Sequence, residues 1–376
     1  MLIIFWLSVF FIAYTYILYP LLVIFFSELK SVTNEIPVGY SELPTVAVIV
    51  AVHNGESYIQ KKLKSLLSQD YPQEKISIIF SSDGSSDNTV NILESYPMIS
   101  LIKAEVRQGK AAALNHAVAS TDAEVIVFTD VRQRLSSNAI FQLVTRLSNE
   151  NVGAVSGELL LEENGNVSSA QLGLYWRYEK MIRKAESKLH SVPGVTGALY
   201  AIYRCDYPQL NENTLLDDFE VPIAIIRKGK RVIFEPSAIA YDKVSESLAV
   251  EKKRKIRTIM GNYQSFGRNP WLFSPRLNPI FWQFISHKVC RLIVPYCLLM
   301  MLFIPLFIGG PVYQGVFLLQ IIFYSVAFLS KSIKSSGLLS KILSFSHVFL
   351  MMQVTVVIAL YKYCAGQADA KWEQLH

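Results

Sequence analysis

Four apolar stretches limit the folds open to this 376-residue chain more than any other feature of its sequence. They span residues 2–26, 292–308, 312–329 and 342–360. A helix of roughly 20 apolar residues is long enough to cross the hydrocarbon core of a bilayer. Because hydrophobic residues make up 51% of the whole chain, we predict that part of the protein lies in a membrane.

The first stretch is predicted to be a permanent anchor, since it has neither the basic start nor the small-residue cleavage site of a signal peptide. About 260 residues separate it from the second stretch, which is enough for one large α/β domain. The predicted segments are an N-terminal transmembrane helix (1–27), a cytosolic domain (44–268), an interfacial amphipathic segment (270–290) and about three C-terminal transmembrane helices (291–362).

Basic residues cluster at 252–257 and at 331–341, beside or between apolar stretches. By the positive-inside rule these loops, and with them the large domain, face the cytosol in a multi-pass protein of the inner or plasma membrane. Attraction to anionic lipid is an alternative role for the first cluster. Three late crossings would place the C-terminus outside, although Lys362 and Lys371 oppose that placement.

The segment 270–290 combines large aromatic side chains with basic ones. Aromatic rings and cationic side chains both prefer the headgroup region of a membrane, which favours an interfacial helix. A loop followed by the start of the next spanning helix is the alternative. The residues concerned are Trp271, Phe281, Trp282, Phe284, His287, Lys288 and the adjoining Arg291.

Short β-branched runs at 45–52, 76–81 and 125–129 are typical of buried strands, and apolar residues at helical spacing predict a helix over 57–69. Alternating strands and helices predict a parallel, doubly wound sheet, in which ligands bind at the carboxyl ends of the strands. The polar residues that follow these strands are His53, Asn54, Asp83 and Asp130.

Two of the loops carry residues suited to a nucleotide with a diphosphate. Asp83, in SSDGSSDNT, can accept a hydrogen bond from a base, and Gly84 allows close approach of the backbone, although a plain turn is the commoner meaning of Asp-Gly. Lys110, in RQGK before an alanine-rich helix, combines a cation with a helix N-terminus and so suits an anion.

The chain carries, in order, HNGESY, SSDGSSDNT, RQGKAAALN, FTD, VTGALYAIYR, LLDDFEV and KIRTIMGNYQ. This series resembles the family 2 inverting glycosyltransferases of the GT-A fold over about residues 44–268, in particular the membrane-integrated branch of cellulose, chitin, hyaluronan and poly-N-acetylglucosamine synthases. The resemblance implies an α/β GT-A domain, Rossmann-like and nucleotide-sugar-binding, joined to transmembrane helices. It also implies transfer from a UDP-sugar to a lipid-linked or glycan acceptor in polysaccharide synthesis of the bacterial exopolysaccharide type.

The resemblance implies a role for each matched residue. The expected donor-binding residues are Asn54 and Glu56 near the nucleotide, Asp83 at the uracil, Lys110 by the diphosphate and Asp130 as the first aspartate of a DxD motif. The expected acceptor-side residues are Gly197, Ala198 and Asp217, beside Asp218 as the catalytic base.

Direct displacement at the anomeric carbon independently calls for a carboxylate beside the acceptor hydroxyl. The adjacent Asp217 favours a raised pKa at Asp218 through like-charge repulsion. Capping of a helix over 219–227 is an alternative role for Asp217, and it is compatible with Asp218 as the base.

The sequence departs from the family pattern at two places. The second DxD aspartate is replaced by Arg132, so either Asp130 holds Mg²⁺ or Mn²⁺ with the donor phosphates, or Arg132 neutralises the diphosphate itself. The QxxRW motif keeps its arginine, as diphosphate-binding Arg257, but lacks the glutamine and tryptophan. We therefore expect limited addition to a membrane-bound acceptor and no long polymer.

Two other functions fit the same sequence. A polyprenyl-phosphate glycosyltransferase would need a phosphate site near 254–257, and a non-catalytic subunit of a polysaccharide synthase would explain the altered DxD motif. The intact Asp83, Lys110 and Asp217-Asp218 pair favour an enzyme. Membrane lipids and polysaccharide-synthesis proteins are the expected partners, and no nucleic acid is expected.

Overall fold

The protein is described by a computed structural model over residues 1–30, 43–162, 167–243, 248–330 and 337–368, so the basic loop at 331–336 and Lys371 lie outside the described residues. The helices are α1 (Leu2–Leu29), α2 (Glu56–Leu67), α3 (Thr89–Glu94), α4 (Lys110–Ala119), α5 (Ala139–Leu147), α6 (Val167–Leu189), α7 (Asp217–Arg227), α8 (Leu248–Arg268), α9 (Phe281–Ile308), α10 (Pro311–Leu329) and α11 (Gly337–Cys364). The strands are β1 (Val46–Val52), β2 (Ile76–Asp83), β3 (Ile99–Ala104), β4 (Val125–Phe128), β5 (Arg134–Leu135), β6 (Val152–Glu162), β7 (Tyr200–Tyr203) and β8 (Arg231–Lys243).

The strands form one sheet in the order β3-β2-β1-β4-β7-β6-β8-β5. The four strands from β3 to β4 are parallel, which confirms the prediction for the first half of the domain. The second half is mixed, because β7 runs antiparallel to both β4 and β6. The prediction of a parallel sheet does not hold for this second half. There β7 follows a loop at the carboxyl end of β4 and runs back alongside β4 in the opposite direction.

Strand β1 shows why the sheet needs helices on both faces. All seven of its residues are buried. Val46, Val48 and Val50 pack on one face with α2 and α5, whereas Ala47 and Ile49 pack on the other with α4 and α7. A strand that alternates between two apolar layers belongs at the centre of a doubly wound sheet, where both faces are covered.

Buried polar contacts join the α/β domain to the apolar helices. The Tyr19 hydroxyl of α1 donates to Glu186 of α6. His287 of α9 lies between two carboxylates of α6, with Nδ1 2.8 Å from Glu186 and Nε2 3.0 Å from Glu179. Arg291 also pairs with Glu179. Because burying an unpaired charge is costly, these contacts fix α1 and α9 against one face of α6.

The segment 270–290 is not a single amphipathic helix. It contains a 3₁₀ turn at Pro270–Phe273, and α9 begins at Phe281. Trp271 and Phe284 are buried in the domain core, and Trp282 packs against Tyr19. The aromatic residues therefore pack on protein, which matches the alternative of a loop followed by the next long helix.

Four helices are long and apolar enough to cross a membrane: Leu2–Leu29, Phe281–Ile308, Pro311–Leu329 and Leu343–Cys364. The last of them ends beside the α/β domain, where the ring of Tyr363 lies 5.7 Å from that of Tyr263. The C-terminal end of α11 is thus on the side of the domain, contrary to the prediction.

Gly84 is predicted to be intolerant of a side chain. Its φ is +62°, and a Cβ there would lie 2.7 Å from the backbone nitrogen of Arg107. Gly229 has a similar φ of +85°, but no atom of the described residues lies within 4 Å of such a Cβ. Gly229→Ala therefore tests backbone strain alone, about 1–2 kcal/mol, and Gly84→Ala adds a clash of roughly 1–3 kcal/mol. Thermal unfolding should show the larger loss for Gly84→Ala, and equal losses would contradict this.

Candidate active site

A cavity of about 850 Å³ opens at the carboxyl ends of β1 and β4. Its wall includes Val52, the last residue of β1, and Asp130, two residues beyond β4. Ligands bind at this edge of doubly wound sheets. The predicted site residues that line the cavity are Lys110, Asp130, Arg132, Gly197, Asp217, Asp218 and Arg257.

Lys110 connects two carboxylates across the floor of the cavity. Its Nζ lies 3.1 Å from Asp130 Oδ1 and 3.1 Å from Asp217 Oδ1. Burial alone would lower the pKa of Lys110, but the two carboxylates outweigh burial and raise it. Lys110 begins α4 and Asp217 begins α7, so the ion pairs fix the N-terminal ends of two helices against the end of β4.

Asp218 also lines the cavity, in the first turn of α7. Burial and then the neighbouring Asp217 raise its pKa to about 6, while Lys110 and Lys288 oppose the rise. A Cβ at position 197 would lie 3.1 Å from Asp218 Oδ2, so Gly197 leaves space beside the carboxylate. A cavity-facing carboxylate with a pKa near neutrality is suited to accepting a proton.

The turn after β4 is fixed by a lysine that sequence reasoning missed. Lys62 of α2 is 1% exposed, and its Nζ donates to Thr129 Oγ1 at 2.6 Å and to the carbonyl of Gln133 at 2.9 Å. Burial lowers the pKa of Lys62 to about 7, against the opposing effect of Asp130. Lys62 thereby holds both ends of the turn that carries Asp130 and Arg132.

Asp130 is the carboxylate best placed to bind a divalent cation, because its side chain is 35% exposed at the cavity. Within the described ranges, no group of three His, Cys, Asp or Glu side chains could hold a metal ion. Mg²⁺ is often held by one or two carboxylates together with substrate phosphates. The residues therefore fit a cation that arrives with a phosphate-bearing ligand.

The remaining wall of the cavity is strongly basic. The cationic residues that line it besides Lys110 are Arg107, Arg132, Lys253, Arg254, Arg257 and Lys362. Buried guanidinium nitrogens of Arg107, Arg132 and Arg257 have no hydrogen-bond partner within the described part of the chain. Buried polar groups normally have partners, so these donors indicate an anionic ligand.

Four of the predicted site residues do not line the cavity. Asp83 is 1% exposed, and its carboxylate accepts from the backbone nitrogens of Gln108 at 2.6 Å and Gly109 at 2.9 Å. It positions the loop before Lys110. The side chains of Asn54 and Glu56 also bind a loop. Asn54 accepts a hydrogen bond from the backbone nitrogen of Ser86, and Glu56 accepts one from that of Asn88. Ala198 is buried and accepts from Thr129.

Sequence reasoning did not select Tyr58, Lys362 or Gln133 as site residues, although all three line the cavity. The position of Tyr58 in HNGESY could have pointed to it, because that loop follows β1. Nothing in the sequence brings Lys362 to the site, since it reaches the cavity only where α11 packs on α8.

The chain is similar to known glycosyltransferases. Residues 47–207 match the family model "Glycosyl transferase family 2". The chain is 28% identical over 237 residues to the "Probable glycosyltransferase YdaM" of Bacillus subtilis (strain 168), covering 59% of this chain and 56% of that protein. It is 23% identical over 254 residues to the "Poly-beta-1,6-N-acetyl-D-glucosamine synthase" of Staphylococcus epidermidis, covering 65% and 60%. The chain thus spans 56 to 60% of the length of these relatives.

A solved structure of similar fold is the "Mannosyltransferase PcManGT from Pyrobaculum calidifontis in complex with GDP-Man and Mn2+". The TM-score is 0.72 at 20% identity, over 97% of this chain and 99% of that one, so the likeness includes both the GT-A sheet and the apolar helices. Of the predicted site residues that line the cavity, Lys110, Asp130, Arg132 and Gly197 lie within the matched residues, whereas Asp217, Asp218 and Arg257 lie beyond them. The chain therefore contains a family 2 glycosyltransferase domain over residues 47–207, in a GT-A fold joined to helices long and apolar enough to span a membrane.

Proposed function

We propose that the protein transfers a sugar, with inversion, from a nucleotide sugar to a lipid-linked or other membrane-associated glycan acceptor. The observation that carries this proposal is the position of Asp218, a carboxylate with a pKa of about 6 in a cavity whose other wall is cationic. A general base and an anion site in one cavity are what displacement of a nucleoside diphosphate requires.

In the proposed reaction Asp218 accepts the proton of the acceptor hydroxyl as its oxygen attacks the anomeric carbon. A new glycosidic bond forms on one face of the sugar, and the bond to the diphosphate breaks on the other. The electron pair leaves with the diphosphate, and Arg257 and Lys110 lie on the cavity wall to stabilise its charge. Attack on the face opposite the leaving diphosphate gives inversion at the anomeric carbon.

Asp130, together with the donor phosphates, would hold Mg²⁺ or Mn²⁺. Such an ion supplies further positive charge to the leaving diphosphate. Support comes from the cavity-facing carboxylate of Asp130 and from the Mn²⁺ in the structure of the mannosyltransferase of similar fold.

A UDP-sugar is the proposed donor, on the family resemblance of the Asp83 loop. Asp83 itself is occupied by two backbone amides, so it supports the nucleotide site through the loop 107–110. The mannosyltransferase of similar fold is in complex with GDP-Man, and a donor panel must therefore include guanine nucleotides.

The proposed acceptor approaches from the membrane side. Lys362 and Gln367, at the end of the last apolar helix, line the same cavity as Asp218. Because these residues are cationic and polar, a polyprenyl phosphate is a second candidate acceptor. Extraction of the labelled product into organic solvent, and its sensitivity to mild acid, would distinguish a sugar phosphate from a glycan.

The experiment that tests the function is nucleotide release by the purified protein in nanodiscs, with a panel of UDP- and GDP-sugars and with membrane lipid extract as acceptor. We expect release from one donor, and dependence on lipid extract. A chain that binds these donors but releases nothing with any acceptor would instead be a non-catalytic subunit of a polysaccharide synthase.

The pH dependence of transfer is predicted from Asp218. Because the base must be unprotonated, kcat/KM should fall about tenfold per pH unit below pH 6 and reach a plateau above it. Lys288 lowers the pKa of Asp218, so Lys288→Gln should move the midpoint to higher pH. The remote Lys180, which pairs with Glu158, supplies the control Lys180→Gln, which should leave the midpoint unchanged. A downward shift in Lys288→Gln would contradict the assignment.

A further inference from the structure

Arg132 and Gln133 bind a common buried carboxylate. Arg132 Nη2 lies 2.5 Å from Asp242 Oδ2, and Gln133 Nε2 donates to the same oxygen at 2.9 Å. Asp242 lies on β8 and its side chain is 4% exposed. Within residues 130–133, Asp130 thus faces the cavity, whereas Arg132 and Gln133 are held by Asp242 of β8.

Asp242 leaves part of the Arg132 guanidinium available. The Arg132 side chain is 32% exposed and lines the cavity, while its Nε is buried without a partner in the described ranges. The other oxygen of Asp242 accepts from the backbone nitrogen of Lys243, so the carboxylate itself faces no ligand. An arginine held on one side by a carboxylate is pre-organised to bind an anion with the other.

Two further arginines face the same space. Arg254 and Arg257 lie one turn apart on α8 and line the cavity. Burial, followed by the proximity of Arg132, lowers the pKa of Arg254, and burial lowers that of Arg257. Clustered cations repel one another, so an anion between them would lower the repulsion. A diphosphate has enough oxygens to satisfy several guanidinium groups.

We propose that Asp242 is a positioning residue that holds the guanidinium of Arg132 against the donor diphosphate. The inference rests on the proposed function, and it adds to it a residue that acts through Arg132. A divalent cation would then contribute less to nucleotide binding than the arginine does.

A nearby ion pair provides a matched control. Arg134 of β5 and Glu162 of β6 are 2.6 Å apart, but both are exposed and neither lines the cavity. If Asp242 had only a structural role, Asp242→Asn and Glu162→Gln would act alike on ligand binding.

The test is calorimetric binding of UDP, UMP, GDP and GMP to the full chain in nanodiscs, in EDTA and in Mn²⁺. For the diphosphate that binds, we expect wild type to lose less than about tenfold in affinity in EDTA. Asp242→Asn and Arg132→Gln should each lower the affinity for that diphosphate about tenfold, both in EDTA and in Mn²⁺. The double variant should lower the affinity hardly more than either single variant does. The matching monophosphate should change less than about threefold, and Glu162→Gln should have no effect.

Three results would overturn the proposal: unchanged affinity in Asp242→Asn, equal loss for mono- and diphosphate, or loss of all diphosphate binding in EDTA. Failure of wild type to bind either diphosphate in Mn²⁺ would overturn the proposed function as well. Arg132→Lys keeps a charge but loses the bidentate fork, so an intermediate affinity would support geometry over charge alone.

Discussion

Asp218→Asn is expected to lower kcat for sugar transfer by about 10³-fold while leaving donor binding nearly unchanged. The amide has the shape of the carboxylate but cannot accept the hydroxyl proton. Asp218 faces the cavity with a pKa of about 6, so at neutral pH the wild-type protein has this base in its active form. Nucleotide release under saturating donor, alongside calorimetric nucleotide binding, separates the two effects.

Glu220 supplies the control for that substitution, because it lies on the same helix and does not line the cavity. Its carboxylate accepts from Asn269 at 3.1 Å. Glu220→Gln should preserve kcat within about threefold, since the amide keeps the shape of the side chain and the substitution removes no group from the cavity. If Asp218→Asn kept full activity, or if both variants lost it equally, Asp218 would not be the base.

The parts of the site that follow directly from a strand or begin a helix were predictable from sequence. A buried strand of β-branched residues ends where polar residues begin, and this rule placed Asp130 at the carboxyl end of β4. Likewise, the Asp-Asp pair precedes an apolar helical pattern, which placed Asp217 and Asp218 at the start of α7. Local periodicity carries this information.

The contacts that depend on distant segments were not predictable. Asp242 meets Arg132 across 110 positions, and only the pairing of β8 with β5 brings them together. The same limitation explains Asp83, whose strand-end position was predicted but whose partners, the amides of the 108–109 loop, were not. It also explains the end of α11, because hydropathy gives the length of a helix and not the side on which it ends.

Lys110→Met is expected both to destabilise the protein and to shift the pH dependence of kcat/KM. The substitution removes the cation that lies 3.1 Å from both Asp130 and Asp217 and leaves their carboxylates, with Asp218, facing one another. Breaking such a buried pair costs about 3 kcal/mol, and loss of a charge at the leaving group should lower kcat/KM about 10²-fold. Thermal unfolding and initial rates measure the two losses.

The sign of the pH effect follows from Asp218. Its pKa in the folded protein, about 6, exceeds the ordinary value of 3.8, so the native state binds more protons between these values and stability falls as pH rises through that window. Lys110 lowers this pKa, and its removal must extend the window upward and move the acid limb of kcat/KM to higher pH. Lys110→Arg keeps the charge and should restore the limb.

A second ion pair separates this electrostatic effect from simple loss of stability. Lys230 lies 2.6 Å from Asp206, a buried carboxylate outside the cavity wall. Lys230→Met should therefore lower the unfolding temperature without moving the acid limb. If Lys230→Met moved the acid limb of kcat/KM as Lys110→Met does, the shift would reflect global unfolding. If neither variant moved the limb, Lys110 would not set the charge balance around Asp218. Only a shift confined to Lys110→Met ties the cation between Asp130 and Asp217 to the ionisation of the base.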